Sequence, residues 1–129
     1  QYSRLLIDAL ERVRLPSSLR TLERVNLPDG LHHLAFGFRF NQGLEHVTLP
    51  NRLQSLTFGH NFNQDLGHVR LPPALKTLTF GHDFAQPLTN VHLPSSLESL
   101  IFGHEFNHSL EAVTGRPTTE QGCFRTVAF

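Results

Sequence analysis

Methionine and tryptophan are absent from this chain of 129 residues, and cysteine occurs once, at Cys123. A single cysteine cannot form an internal disulfide, so the sequence excludes a small fold stapled by disulfides and favours a reducing, cytoplasmic compartment. Apolar runs extend over only a few residues, well below the roughly 20 that a membrane-spanning helix needs, and no signal peptide is visible. Because the sequence starts at Gln1 and contains no methionine, we expect it to be a fragment of a longer repeat array.

An excess of charge of either sign is also absent, since 11 lysines and arginines balance 11 aspartates and glutamates. Without net positive charge, the chain has no general attraction to a nucleic-acid backbone or to an anionic membrane surface. We therefore expect neither nucleic acid nor a membrane as a partner. Catalytic signatures are lacking too, because the sequence contains no Gly-x-Ser-x-Gly, no phosphate-binding glycine loop and no Cys-x-x-Cys. We expect no enzymatic activity and no cofactor.

The sequence does contain a repeat of constant length, marked by the evenly spaced prolines Pro28, Pro50, Pro72 and Pro94. One copy runs from Leu44 to Asp65, and regular copies fill residues 22–110. Because a unit this short cannot bury its apolar face alone, the copies must stack on one another. We therefore expect residues 1–129 to form one repeat domain.

Within each copy, two short runs alternate apolar and polar residues. Val47-Thr-Leu49 and Leu56-Thr-Phe58 both show the alternation that is typical of half-buried strands. Pro50 ends the first run because it has no N–H for a ladder, and Gly59 ends the second by permitting a positive φ. The sequence thus predicts an all-β fold, a β-solenoid of about five coils with two short parallel strands per coil. The residues expected to form its corners and core include Gly37, Gly59, Gly81, Gly103, Phe58, Phe80 and Phe102.

The two ends of the chain depart from the repeat. Residues 1–21 fit either a degenerate N-terminal coil or a capping helix with one apolar face. The motif Leu10-Glu-Arg-Val-Arg-Leu-Pro16 recurs as early as Leu22, so a block of ten residues is missing from this copy. We expect an irregularity between residues 17 and 24. Residues 111–129 are expected to form a degenerate C-terminal coil that caps the open edge of the stack.

The pattern Leu-x-x-Val-x-Leu-Pro-x-x-Leu-x-x-Leu-x-Phe-Gly-x-x-Phe-Asn-Gln resembles the FNIP repeat, a relative of the leucine-rich repeats. It is also similar to the leucine-rich repeats of the bacterial surface-antigen type. The resemblance covers residues 22–110 and implies a solenoid that binds other proteins and has no activity of its own. It carries over no catalytic residue. None of the quartets is literally Phe-Asn-Ile-Pro, since they read Phe40-Asn-Gln-Gly43, Phe62-Asn-Gln-Asp65, Phe84-Ala-Gln-Pro87 and Phe106-Asn-His-Ser109.

Asparagine recurs beside the second phenylalanine of the repeat, at Asn41, Asn63 and Asn107. A stacked side-chain amide can donate to the backbone of one coil and accept from the next. We therefore expect these residues to have a structural role. Ala85 interrupts the series, so the corner at that coil is expected to be weaker.

Three of the nine histidines, His60, His82 and His104, directly follow the glycine of their repeats. Stacked coils would hold these residues about 4.8 Å apart, with Asp83 or Glu105 beside them. A metal site converges its ligands on one point, whereas a ladder holds them parallel, so we expect an exposed ladder and no metal site. Such a ladder should respond to acid, because protonation near pH ~6.5 places like charges side by side. A metal- or pH-responsive module is therefore one alternative function.

The outward positions of the first predicted strand vary from copy to copy, whereas the buried positions do not. In repeat scaffolds, variable exposed positions are the ones that contact a partner. We therefore predict a non-catalytic scaffold that binds a protein through this face, with a purely structural spacer as the second alternative. The predicted binding residues are Arg12, Arg14, Arg24, Asn26, His46, Thr48, His68, Arg70, Asn90 and His92.

Overall fold

The computed structural model describes residues 6–7, 12–15, 27–45, 47–108 and 125–128 of the chain. These ranges contain strands and turns and no helix, which confirms the predicted all-β repeat fold. The strands, in chain order, are β1 (Leu6–Ile7), β2 (Arg12–Leu15), β3 (His33–Phe36), β4 (Ser55–Thr57), β5 (Thr77–Thr79), β6 (Ser99–Phe102) and β7 (Arg125–Ala128).

All seven described strands belong to one sheet, in which their order follows their order in the sequence. Strands β2 to β6 run parallel to one another, as successive coils of a solenoid must. The strands at the two edges, β1 and β7, are antiparallel to their neighbours. The sheet therefore has a repetitive parallel centre between two antiparallel edges.

Each regular coil consists of one strand and three turns. The first turn precedes the exposed segment of the repeat, the second follows its proline, and the third follows the strand. Backbone hydrogen bonds from N–H to carbonyl close the first two turns, for example from Val47 to Leu44 (3.0 Å) and from Leu53 to Pro50 (3.1 Å). At the third turn such a bond runs from Phe40 to Gly37 (3.2 Å), whereas in the next coil the N–H of Asn61 donates to the carbonyl of Phe38 in the preceding coil (3.0 Å).

The sequence predicted two strands in each coil, and each coil within the described residues 27–45 and 47–108 has one. The segment Val47-Thr-Leu49 does not form a strand. It is confined between the turn that closes at Val47 and Pro50, which has no N–H to contribute to a ladder. Only the second predicted run forms a strand, β4 in this coil. The side chains of the first segment therefore alternate between buried and exposed, although the segment does not pair with a neighbouring strand.

The parallel strands pair in register with the repeat, so identical leucines lie opposite one another. Leu56 pairs with Leu34 on one side and with Leu78 on the other. These three side chains are at most 1% exposed. Stacking thus creates the continuous core that no single coil could form. The other leucines of the core include Leu31, Leu44, Leu49, Leu53, Leu66, Leu71, Leu75, Leu88, Leu97 and Leu100.

Two phenylalanine columns complete the core. The ring of Phe58 lies between those of Phe36 and Phe80, at centroid distances of 5.2 and 5.5 Å. Within the coil, the turn after the strand brings Phe62 back onto Phe58, at 4.0 Å. Phe58, Phe80 and Phe102 are at most 3% exposed. Aromatic stacking therefore joins neighbouring coils and also closes the corner of each coil.

The recurrent glycine after the strand is required for a different reason from the one that the sequence suggested. Gly59, Gly81 and Gly103 do not adopt a positive φ. Instead, a Cβ on Gly59 would lie 2.8 Å from the carbonyl carbon of Gly37, and a Cβ on Gly81 would lie 2.6 Å from that of Gly59. Neighbouring coils thus approach backbone to backbone at this corner, at a distance that leaves no room for a side chain.

The N-terminal strand differs from both alternatives considered for this end of the chain. Leu6–Ile7 pairs antiparallel with β2, so these residues form neither part of a helix nor a coil in the repeat register. An antiparallel strand protects the open edge of a sheet, as a cap would.

The register of β2 also differs from the motif alignment. The shared motif places Val13 in the column of Val25, but Val13 pairs with Leu34 in the structure. A coil aligned by motif would be only about half as long as the regular coils, whereas the observed pairing gives this coil nearly the length of a full repeat. Coil length therefore decides the register. The irregularity predicted between residues 17 and 24 lies outside the described residues.

At the C-terminal edge, β7 runs antiparallel to β6, with Val127 opposite Leu100. The sequence predicted a degenerate coil over residues 111–129, and the four residues described there form this antiparallel strand instead. The strand covers the edge that the coil was expected to cap. In the described ranges, no helix is long and apolar enough to cross a membrane.

Candidate functional site

Five of the predicted binding residues form an exposed polar strip, which consists of Thr48, His68, Arg70, Asn90 and His92. The strip begins in the first turn, which contains His68 and Asn90, and continues through the segment before the second turn, outside the sheet. The valine and leucine positions that alternate with it are buried or half-buried and hold the same residue in successive coils. The strip therefore presents side chains that differ from coil to coil, next to buried residues that are the same in each coil.

Two of the other predicted binding residues do not belong to this strip. Arg12 and Arg14 lie in β2, opposite His33 and Ala35, because the coil length shifts the register away from the motif alignment. Their placement beside the strip was therefore wrong. The remaining predicted residues, Arg24, Asn26 and His46, lie outside the described residues.

The polar strip has a definite chemical character. Arg70 supplies a permanent positive charge with several donors, and His68 and His92 can both donate and accept hydrogen bonds. No carboxylate belongs to the strip. This set of groups suits a partner surface that presents carboxylates or backbone carbonyls.

The second candidate is the imidazole column, which consists of His60, His82 and His104. Ring centroids are 4.6 Å apart between the first two residues and 5.1 Å apart between the last two, with interplanar angles of 3° and 2°. The three rings thus stack face to face. Phe38 extends the column by stacking on His60 at 4.6 Å, and it is 59% exposed. Phe38 occupies the position of His60 one repeat earlier, but the recurring glycine–histidine pair did not point to it because it is not a histidine.

Each imidazole in the column contacts the polar side chain that follows it in the chain. These contacts fix the orientation of the rings at three successive corners. The distances are 2.9 Å from His60 Nδ1 to Asn61 Oδ1, 2.8 Å from His82 Nδ1 to Asp83 Oδ1 and 3.3 Å from His104 Nδ1 to Glu105 Oε1.

Asp83 also connects two members of the column. Its Oδ1 lies 2.8 Å from Nδ1 of His82, and its Oδ2 lies 3.9 Å from Nδ1 of His60. One potential ligand atom from each of these three residues lies within 4.8 Å of the others, and the same holds for His82, His104 and Glu105. Imidazole nitrogen and carboxylate oxygen are both ligands for zinc. Within the described part of the chain, these are the clusters that could hold a metal ion.

The recurring asparagines link neighbouring coils through their side-chain oxygens. Oδ1 of Asn41 accepts hydrogen bonds from the N–H of Asn63 (2.8 Å) and from Nε2 of Gln64 (3.0 Å). Oδ1 of Asn63 does the same for the N–H of Ala85 (2.9 Å) and Nε2 of Gln86 (3.1 Å). One amide oxygen thus satisfies two donors of the next coil.

Ala85 has no side-chain oxygen with which to continue this ladder to Asn107. The link between these two coils comes instead from His108, whose Nε2 lies 2.6 Å from the carbonyl oxygen of Ala85. This corner therefore keeps a contact between coils and lacks the two-donor contact that Asn63 makes.

Comparisons with known proteins agree with the repeat architecture. The sequence profile of the FNIP repeat matches residues 20–61, 40–83, 62–105 and 84–113. The crystal structure of CroV588, described as a novel circular LRR protein, is similar to 75% of this chain, with 40% sequence identity and a TM-score of 0.67. The similar region amounts to 14% of the CroV588 chain. No curated protein matches the sequence.

Proposed function

This chain belongs to the FNIP repeat family, and we propose that it is a scaffold that binds a partner protein through the polar strip. Its repeat architecture is like that of leucine-rich-repeat proteins, which typically serve as non-enzymatic scaffolds. Proteins built in this way often mediate protein interactions, because stacked coils present an extended surface.

The proposal rests on the difference in exposure between neighbouring side chains in the segment that contains the polar strip. In the coil around residues 68–71, His68 and Arg70 are exposed, whereas Val69 and Leu71 are at most 8% exposed. The buried positions keep one residue type because packing demands it. The exposed positions are not constrained by packing, so side chains that differ from coil to coil can serve to recognise a partner protein.

The chemistry of the strip also indicates the character of the partner. Arg70 and the two histidines supply hydrogen-bond donors, and the strip contains no carboxylate. An acidic surface on the partner would therefore complement it, because a guanidinium can donate two parallel hydrogen bonds to one carboxylate. Such charge complementarity contributes mainly to specificity and to the rate of association.

Affinity capture with a variant of the strip tests the proposal. The immobilised wild-type chain is compared with the triple variant His68→Ala, Arg70→Ala, His92→Ala. All three side chains are exposed, so the variant should fold with an unchanged melting temperature. We expect proteins that the wild type captures reproducibly to be lost from the variant.

A matched control uses exposed charges elsewhere on the same coils. Lys76 and Glu98 lie just before strands β5 and β6, and their replacement by alanine leaves the net charge unchanged. This double variant should capture the same proteins as the wild type. If the strip variant also captures them with equal yield, the strip is not the binding surface, and a purely structural spacer becomes the better interpretation.

A further inference from the structure

We propose that His60, His82 and Asp83 form a binding site for one divalent transition-metal ion of the zinc class. Their potential ligand atoms converge within 4.8 Å of one another on the surface of the solenoid. The set combines two imidazole nitrogens with one carboxylate oxygen. Three protein ligands of this kind leave a fourth tetrahedral position for water or for a ligand from another molecule.

Asp83 provides the convergence that a simple ladder of histidines lacks. The parallel rings of His60 and His82 alone would hold their nitrogens side by side. This parallel arrangement was the reason for predicting no metal site from the sequence. The carboxylate of Asp83 lies against both of them, at 2.8 and 3.9 Å from their Nδ1 atoms. An ion placed near this carboxylate is therefore within reach of both imidazoles.

Closing the site requires only local side-chain movement. Bonds of ~2.1 Å in tetrahedral geometry place ligand atoms roughly 3.4 Å apart, compared with the present limit of 4.8 Å. The side chains of His60, His82 and Asp83 are 39%, 42% and 40% exposed, so solvent surrounds them on one side and their rings can tilt. The backbone of adjacent coils is held by its own hydrogen bonds, since the Asp83 N–H donates to the His60 carbonyl at 2.9 Å.

Binding of the ion through the two Nδ1 atoms requires a change of tautomer at both His60 and His82, because each Nδ1 contacts an acceptor oxygen, that of Asn61 or that of Asp83. A carboxylate only accepts hydrogen bonds, so the contact between Asp83 and Nδ1 of His82 places the hydrogen on that nitrogen. When Nδ1 binds the ion, the hydrogen resides on Nε2 and the imidazole stays neutral. Two neutral imidazoles and one carboxylate carry a single negative charge, which favours a divalent cation.

The neighbouring cluster of His82, His104 and Glu105 cannot be filled in the same way at the same time, because both clusters need His82. It is also the looser of the two, since the contact between His104 and Glu105 is 3.3 Å and these side chains are 54% and 51% exposed. We therefore place the ion at Asp83 and expect a stoichiometry of one ion per chain.

Calorimetric titration of the full chain with Zn²⁺ tests this site. We expect one ion to bind, and Asp83→Asn to weaken its affinity at least about tenfold, because asparagine preserves the size of the side chain and removes the anionic ligand. His82→Ala should abolish binding, since it removes the residue common to both clusters. His92→Ala is the matched control, because it removes an exposed histidine outside the column and should leave the affinity unchanged.

Absorption of bound Co²⁺ provides a second measurement, since a tetrahedral site with nitrogen and oxygen ligands gives intense visible bands that an octahedral aqua ion does not. The bands should appear in the wild type and in His92→Ala, and be lost in His82→Ala. Absence of Zn²⁺ binding, equal affinity in Asp83→Asn, or equal weakening in His92→Ala would each overturn the proposal. The capture variants of the polar strip contain no residue of the imidazole column, so binding of a partner and binding of the ion can succeed or fail independently.

Discussion

The carbonyl group of Gly59 occupies the space that a side chain on Gly81 would need. A Cβ on Gly81 would lie 2.6 Å from the carbonyl carbon of Gly59 and 2.9 Å from the Cα of His60. These obstacles are backbone atoms, so they cannot rotate away as the end of a flexible side chain would. The same relationship recurs between Gly103 and Gly81. The spacing of the coils at this corner is therefore set by contact between backbones.

Replacing Gly81 with alanine should separate two coils and destabilise the fold. We expect the free energy of unfolding to fall by about 2 kcal/mol or more, because the added methyl group meets packed atoms that cannot give way. Urea denaturation measures this change. Gly30→Ala is the control, since a Cβ on the exposed Gly30 meets nothing within 4 Å, and its effect should stay within about 0.5 kcal/mol. Equal effects at the two glycines would contradict the argument from backbone contact.

Replacing Phe80 with alanine should be among the most damaging changes in the chain. The Phe80 ring is 3% exposed and stacks on Phe58, Phe84 and Phe102 at 5.5, 3.8 and 5.4 Å. Its removal leaves a cavity in the middle of the stack, so we expect a loss of about 3–5 kcal/mol in the free energy of unfolding. Thermal or urea denaturation provides the measurement.

Thr79→Ala is the matched control for this prediction, because the two residues are adjacent on one chain segment. Thr79 is half-buried on the other face of β5, opposite Thr57 and Ile101 in the sheet. Its replacement should cost about 1 kcal/mol or less. A loss at Thr79 as large as that at Phe80 would show that the two faces of the strand are assigned incorrectly.

The repeat period was sufficient to predict the core. Leu34, Leu56 and Leu78 pair in register because coils of equal length bring equivalent residues together, and the same rule produces the stacked phenylalanines. The parallel arrangement of His60 and His82 follows for the same reason. Properties that depend only on equal spacing could therefore be read from the sequence.

Properties that depend on how neighbouring coils contact one another could not be predicted from the sequence. Alternating burial around Val47 resembled a strand, but burial of every second side chain does not require hydrogen bonding between neighbouring backbones. The glycine at position 59 indicated a special corner, yet only the structure shows that the constraint is the preceding coil. Val13 shares a motif with Val25, but the length of chain needed to close a coil decides its partner.

Replacing Asn63 with alanine should weaken the contact between two coils. Its Oδ1 accepts hydrogen bonds from the N–H of Ala85 and from Nε2 of Gln86, and both donors would lose this acceptor. We expect the free energy of unfolding to fall by about 1–2 kcal/mol, because the partly buried N–H of Ala85 is left unsatisfied, whereas Nε2 of Gln86 keeps the backbone carbonyl of residue 63 as an acceptor. Asn107→Ala is the control at the equivalent position, where the side chain is exposed, and its effect should be within about 0.5 kcal/mol. A neutral result at Asn63 would mean that water replaces the amide without cost.

Replacing Ala85 with asparagine should complete the ladder that Ala85 interrupts. The new Oδ1 would stand one coil beyond that of Asn63 and would accept from the N–H of Asn107, as Asn63 accepts from Ala85 at 2.9 Å. We expect the free energy of unfolding to rise by about 1 kcal/mol, the typical contribution of one hydrogen bond. Ala85→Leu adds a side chain of similar shape without an acceptor and should bring no such gain. If both variants stabilise the chain equally, added apolar contact rather than the amide ladder holds the coils together at this corner.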